Sequence, residues 1–559
     1  MTNESRMLIV GWDGGTWRVF RPLAEKGLMP NLKALMDRGC HGVMNSTIPP
    51  ITPPAWTTLL TGTRPERHGI FGFMAGVLPG EAGDGTAVRT HNSLSIKGAT
   101  VLDLLGEAGR RVMAVNVPMS YPPHPVNGIM ITGMLTPSDA EDYTYPPGLK
   151  DEIDDYLIDV AWDTDTIRRA TRVSRLSNAA LVERCIEIVR TRCDHVLRLS
   201  GTHPWDLGIV IFTSTDRLFH RMWGEFESLG RAGKPESRLQ ELLVAFAAEL
   251  DRALGRLVEA NGDATVMLVS DHGFGPAPHT TVHVDLALQQ AGLQVMRTTG
   301  GSTAGRALRR GTRRVIRRLM EILLPRKVRR ALLKKSKRRL ERQQEAMDLS
   351  RSKARFTFVD HFVTGAVRFV KETTAPLSEQ EKRELAEGII KVMLDLRDPK
   401  TGSPVFVRGR RREELYPNAE VNYLPEVILE FADGYGGRVE PLATELFGGP
   451  AEGDQDGHHR IEGMFVLAGP HVRAGGEVDA LHLSDIAPLA LYLNDLPVPP
   501  EMQGEVPTAL FTEEHVKDHP VRKTDAAAQP TVSPTSETAY SAEQEEKVKQ
   551  RLRDLGYLD

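Results

Sequence analysis

The chain has 559 residues, 40% hydrophobic and 26% charged, with a net charge of −4 at pH 7, the texture of a globular protein long enough for more than one core. No apolar run is long enough to span a bilayer. The three cysteines, Cys40, Cys185 and Cys193, suit neither a disulfide framework nor a zinc finger. Met1–Arg6 is short and polar, without the apolar core of a signal peptide, so a cytoplasmic location is the expectation.

Met7–Gly11 is an apolar run of the kind that makes a buried parallel strand, and it ends in a turn carrying Asp13. A helix pattern follows over Pro30–Arg38 and a strand over Gly42–Ser46. Next comes Pro49-Pro50-Ile51-Thr52-Pro53-Pro54-Ala55-Trp56, which reads as a rigid turn entering a helix. Thr52 is expected at the N-cap, in front of free backbone N–H groups and the positive end of the helix dipole, a seat for a phosphate. As a cap alone, Thr52 needs no chemistry.

Thr100–Ala108 reads as a helix, Arg111–Val117 and Val126–Thr132 as strands, and Val173–Leu199 as a helix. Trp205–Thr213 is a buried strand followed by Asp216, and Leu239–Glu259 is a helix. Ala264–Ser270 is a further strand, running into Asp271-His272-Gly273. Strands alternating with helices predict an α/β fold, an open and mostly parallel sheet with helices on both faces. Sites in such folds gather beyond the carboxyl ends of the strands. Asp13, Asp216, Asp271 and His272 all fall there.

Between Arg306 and Arg342 the texture changes: seventeen Lys and Arg stand against two Glu. The alternation of basic doublets with apolar residues predicts a basic helical insert over 296–350, a cap or lid packed on the core. The sharper alternative is a surface for anionic lipid. Nucleic acid ranks lower, because no aromatic residues are interleaved for stacking bases. Ser378–Leu396 then reads as a helix, Glu426–Glu430 and Gly463–Ala468 as strands, and Ser484–Asn494 as a helix. A catalytic core over 1–512 is followed by a flexible linker at 517–540 and a C-terminal helix within 541–559.

Asp216 and His220 are four apart, so one helical face presents both. Asp271 and His272 serve together only in a turn. Asp13 adds a carboxylate, Thr52 a hydroxyl oxygen, and His458-His459 an imidazole from a polar loop. Mixed carboxylates and imidazoles suit zinc first and manganese second. Two such ions about 3.5–4 Å apart can hold both the attacking and the leaving oxygen of a phosphoryl transfer. Each residue has a plainer role open to it, as a helix cap, a turn or a half-buried histidine.

Taken in order, Val10-Gly11-Trp12-Asp13-Gly14, Thr52-Pro53-Pro54-Ala55-Trp56-Thr57, Thr61-Gly62, His68-Gly69-Ile70, Asp216 to His220, Ser270-Asp271-His272-Gly273, Gly457-His458-His459-Arg460 and Asp485-Ile486-Ala487-Pro488 with Leu496-Pro497 carry a resemblance. The sequence resembles the alkaline phosphatase superfamily, in its type I phosphodiesterase and nucleotide pyrophosphatase branch, over residues 7–290 and 350–512. The resemblance implies an alkaline-phosphatase-like fold and a two-metal site. Asp13, Thr52, Asp271 and His272 would surround one ion and Asp216, His220 and His459 the other. Thr52 would be the nucleophile, forming a phospho-threonine that water cleaves. His459 is taken as the ligand because His-Arg precedes the strand in similar sequences, which leaves His458 and Arg460 in supporting positions. Where nucleotide-acting relatives carry an Asn after His-Gly-Ile, this chain has Phe71-Gly72-Phe73. Lys97 and the backbone N–H groups after Thr52 are the candidates for holding a phosphate oxygen.

The expected function is a metal-dependent phosphohydrolase, a phosphodiesterase first, acting on a phosphate ester. The alternatives are phosphoryl transfer or mutase chemistry, and a metal-containing binding protein that docks on an anionic membrane through 306–342. A sulfatase is disfavoured, because Thr52-Pro53-Pro54-Ala55-Trp56 lacks the Cys/Ser-x-Pro-x-Arg context.

Overall fold

The computed structural model describes residues 6–75, 89–153, 155–160, 176–297, 347–359, 364–417, 424–439, 443–450, 455–528, 539–555 and 557. In chain order the strands are β1 (Met7–Trp12), β2 (Cys40–Asn45), β3 (Val112–Val117), β4 (Gly128–Thr132), β5 (Thr144–Tyr145), β6 (Leu207–Phe212), β7 (Thr265–Val269), β8 (Gly273–Pro276) and β9 (Thr280–Val282). They continue with β10 (Ala354–Phe358), β11 (Thr364–Phe369), β12 (Phe406–Arg411), β13 (Val427–Phe431), β14 (Tyr435–Gly437), β15 (Gly457–Arg460), β16 (Glu462–Ala468), β17 (Gly476–Glu477) and β18 (Leu481–His482).

The main sheet runs β17-β2-β16-β7-β1-β6-β3-β4-β5, with β18 beside β2. At its centre β1 pairs in parallel with β6 and β7. Every residue of β1 is buried, which is why the segment reads as one unbroken apolar run. On one face Trp17–Glu25, Pro30–Arg38, Asn178–Thr202, Ser214–Ala232 and Arg238–Ala260 cover the sheet, with Leu8, Val10 and Trp12 pointing into their core. On the other face Met7 and Ile9 meet Thr52–Thr61, Val101–Glu107 and Ile486–Leu493. The fold is the expected open, mostly parallel α/β sheet covered on both sides.

Sequence texture did not distinguish three features. β16 lies between β2 and β7 but runs antiparallel to both. The 426–430 segment is not in the main sheet. It forms β13 of a separate antiparallel sheet, β10-β11-β13-β12, whose own core is closed by Glu379–Leu394. The stretch read as a linker begins within the Glu513–Asp518 helix, and its Lys523 bridges to Val498. The basic segment 306–342 lies outside the described residues. Met296 and Met347 pair antiparallel, so the chain leaves and returns at one place.

Close packing positions the Thr52 helix. A Cβ at Gly11 would fall 2.4 Å from Trp56 Cη2 and 2.5 Å from Ile211 Cδ1. Glycine there lets the fully buried Trp56 press onto β1, a contact whose burial is worth about 2–3 kcal/mol. The helix stops at Gly62, whose φ of 63° closes it in the left-handed conformation.

Candidate metal centre

β1 is flanked in register by β6 and β7, Gly11 standing opposite Ile211 and Val269. Their carboxyl ends therefore finish at one rim and release Asp13, Asp216, Asp271 and His272 together. β2 is antiparallel to β16, which is antiparallel to β7, so β2 ends at the same rim and hands the chain to Thr52. β15 pairs antiparallel with β8, His459 opposite Phe274, and this ribbon carries His459 across the rim.

Two groups of buried side chains result: Asp216, His220 and His459, and Asp13, Asp271 and His272. In the first, His459 Nε2 is 3.2 Å from Asp216 Oδ1, His220 Nε2 is 3.5 Å from the same oxygen, and the two imidazole Nε2 atoms are 3.0 Å apart. In the second, His272 Nε2 is 3.5 Å from Asp13 Oδ1 and 3.4 Å from Asp271 Oδ2. The groups abut, with His272 Nε2 4.0 Å from Asp216 Oδ1 and the His272 and His459 rings stacked at 3.9 Å.

A divalent cation fits both groups. Tetrahedral zinc with ligands at about 2.0–2.1 Å spaces its donor atoms about 3.3 Å apart, the spacing found in each group. Both Asp13 oxygens, Asp216 Oδ1, Asp271 Oδ2 and His272 Nε2 are buried without a hydrogen bond. Each such group costs roughly 1–3 kcal/mol if nothing satisfies it, and all can offer a lone pair. Their other atoms are fixed: Asp271 Oδ1 accepts from Gly14 N at 3.0 Å, and His220 Nδ1 and His272 Nδ1 face the Gly457 and Gly273 carbonyls at 3.1 Å. Donating from Nδ1 turns each Nε2 lone pair toward the group.

Electrostatics point the same way. Burial, with Asp271 and Asp216 nearby, holds the Asp13 carboxyl well above the usual carboxylate range. Asp271 is pushed up to about 6, chiefly by burial. At Asp216 burial is outweighed by the adjacent His220, His459 and Arg217, so its carboxyl lies well below the usual range. Burial, reinforced by His272, keeps His459 neutral. A cation seated here would relieve the burial and crowding of carboxylates that hold Asp13 up, and neutral His459 keeps a lone pair to offer it.

The remaining candidates occupy different surroundings. Thr52 is fully buried and its hydroxyl makes no hydrogen bond. It is the first residue of its helix, not the cap: the extended residue before it is Ile51. Nor do free N–H groups follow it, because Pro53 and Pro54 have none and Ala55 N donates to Ile51 O at 3.1 Å. His458 is one residue from His459 on an extended strand, so it points to the opposite side, its ring 6.1 Å from that of His220. Arg460 donates to the His459 carbonyl at 2.9 Å and to Asp433 at 2.9 Å, bracing the ribbon. Lys97 is exposed and lies along Gly69.

Sequence reading missed the groups behind Asp216. Arg217 Nη1 donates to Asp216 Oδ2 at 2.7 Å, and its Nη2 to Asp159 Oδ2 at 2.7 Å. Tyr557 Oη donates to the same Asp216 oxygen and accepts from Arg217. Adjacency could have flagged Arg217; nothing in the pattern around Tyr557 marked it.

The family model for type I phosphodiesterase / nucleotide pyrophosphatase matches residues 7–362, more than half of the chain. The protein belongs to this family. As a type I phosphodiesterase family member, within the alkaline phosphatase superfamily, it is a phosphoester hydrolase. Among solved structures, it is similar to phosphonoacetate hydrolase from Sinorhizobium meliloti 1021 in complex with phosphonoacetate, at 13% identity and a TM-score of 0.48 over 88% of this chain and 96% of that one. It is also similar to human ectonucleotide pyrophosphatase / phosphodiesterase 5, at 14% identity and a TM-score of 0.44 over 92% and 99%. No curated protein matches the chain by sequence.

Proposed function

We propose that this family member is a phosphodiesterase that works with two divalent cations and passes the phosphoryl group through Thr52. The observation that carries the reading is the pair of abutting donor groups at the rim where the Thr52 helix also begins. Asp13, Asp271, His272 and Thr52 hold one cation, and Asp216, His220 and His459 the other, zinc fitting this donor set and manganese second to it. Bound there, the cations supply charge neutralisation and lower the hydroxyl pKa.

Thr52 Oγ1 attacks phosphorus, forming the O–P bond as the leaving alkoxide departs and takes up a proton. Water then breaks the bond between Thr52 and phosphorus, freeing the hydroxyl. Burial of Thr52 keeps competing water from its oxygen. The preference for a diester rests on charge. A monoester carries one more negative charge, and among the described residues two cations beside the site are committed elsewhere, Arg217 to Asp159 and Asp216, and Arg460 to Asp433.

Hydrolysis of bis-p-nitrophenyl phosphate and p-nitrophenyl phosphate by zinc- or manganese-loaded protein tests the reading. The diester is expected to turn over faster, and Thr52→Ala to abolish nearly all of it; undiminished turnover in that variant removes Thr52 from the chemistry. Among the described residues no helix is long and apolar enough to cross a membrane. Docking of 306–342 on anionic lipid rests on its charge, and equal pelleting with liposomes of proteins with and without it would end that idea.

A further inference from the structure

The geometry points to the C-terminal segment as part of the metal centre, with Tyr557 a positioning residue that holds Asp216 in its ligating pose. The inference rests on the two-cation reading above.

Ala542–Leu555 is a helix laid on the main body far from its neighbours in sequence. Val548 and Leu552 are buried in a small core with Ile70, Phe73 and Met134. Polar contacts fix its position: Arg551 Nη2 donates to Thr136 O at 2.9 Å, Lys547 pairs with Asp139 at 2.8 Å, and Tyr540 Oη donates to Leu135 O at 3.0 Å. So anchored, the segment delivers Tyr557 into the site. Its ring lies 5.6 Å from that of His220 and 4.9 Å from Phe73, and its hydroxyl donates to Asp216 Oδ2.

The consequence lies in how the two Asp216 oxygens are divided. Oδ2 accepts from Arg217 and from Tyr557, while Oδ1 has no hydrogen bond and faces both His220 and His459. Two donors on one oxygen fix the carboxylate plane and leave the other oxygen as a single, aimed ligand. Partners of this kind behind a metal ligand typically change affinity by roughly 10–100-fold when removed. Without the phenol, Arg217 alone must hold Oδ2 while it also serves Asp159, and the carboxylate gains freedom to turn.

The test is zinc affinity of the full-length protein, by competition with a chromophoric chelator, for wild type, Tyr557→Phe and Asp216→Asn, with melting temperatures of the metal-free proteins alongside. Tyr557→Phe keeps the ring and its packing and removes only the hydroxyl. The expected result is that one of two zinc equivalents weakens by roughly 10–100-fold in Tyr557→Phe while the metal-free melting temperature holds. Wild-type affinity for both equivalents in Tyr557→Phe overturns the inference, as does a lowered melting temperature with unchanged affinity, which would make Tyr557 a packing residue only. Unaltered zinc binding by Asp216→Asn instead overturns the two-cation reading, and the role of Tyr557 with it.

Discussion

His220 and His459, 239 positions apart in the chain, face each other Nε2 to Nε2 at 3.0 Å. His220 is committed at Nδ1 to the Gly457 carbonyl, so its Nε2 presents a lone pair. These two imidazole nitrogens and the Asp216 oxygen, 3.0–3.5 Å from one another, have the spacing of donor atoms around one cation.

This arrangement distinguishes neighbours. Replacing His459 by Ala is expected to remove one zinc equivalent, and with it at least 100-fold in diester turnover, whereas His458→Ala retains both equivalents. Zinc content after dialysis, measured by atomic emission, checks it. Equal losses in the two variants would contradict the facing of β15.

The Thr52 hydroxyl is buried yet makes no hydrogen bond, so removing it costs the fold little. Thr52→Ala should unfold in urea within about 1 kcal/mol of wild type in the metal-free state while losing roughly 1000-fold or more in turnover. Thr52→Ser, which keeps the oxygen, should recover much of the rate. A stability loss as large as the activity loss would make Thr52 structural.

Metal-free stability should depend on pH through Asp271. Its carboxyl is raised from 3.8 to about 6, chiefly by burial, so the native state keeps a proton there that the unfolded chain gives up. Stability therefore falls as pH rises from about 4 to about 6, and the loss is complete above that. Asn has no such proton, and it can still accept from Gly14 N. In the presence of chelator, Asp271→Asn should exceed wild type by about 2–3 kcal/mol at pH 7.5, with the gap closing toward pH 4. Urea titrations across that range decide it; a constant gap would exclude burial of this charge as the cause.

Gly273 follows His272 directly, and a Cβ there would lie 1.9 Å from the Glu462 carbonyl oxygen. Gly273→Ala must push β8 away from the start of β16 and should cost about 3 kcal/mol in chemical denaturation. Because β8 carries β15, zinc affinity should fall with it. A neutral substitution would mean that the two segments part easily.

Much of this protein was legible in local pattern. The unbroken apolar runs of β1, β6 and β7 could be satisfied only by burial on both faces, which requires a covered parallel sheet. Residues just past such strands must emerge at one rim, so Asp13, Asp216, Asp271 and His272 could be grouped from their positions alone. The four-residue spacing of Asp216 and His220 is likewise a property of one helical turn.

Other features were decided only in three dimensions. Which of His458 and His459 faces the cluster depends on the β15–β8 register, because a shift of one residue would exchange their sides. The antiparallel course of β16 depends on which neighbours it meets, and an apolar run carries no direction. Tyr557 reaches Asp216 because a distant helix docks on the core through contacts that no local spacing encodes. Hydrophobic period and strand-end placement are short-range consequences of backbone geometry, and sequence displays them. Register, strand direction and the meeting of remote side chains follow from the packing of the whole chain, so the tertiary structure alone could supply them.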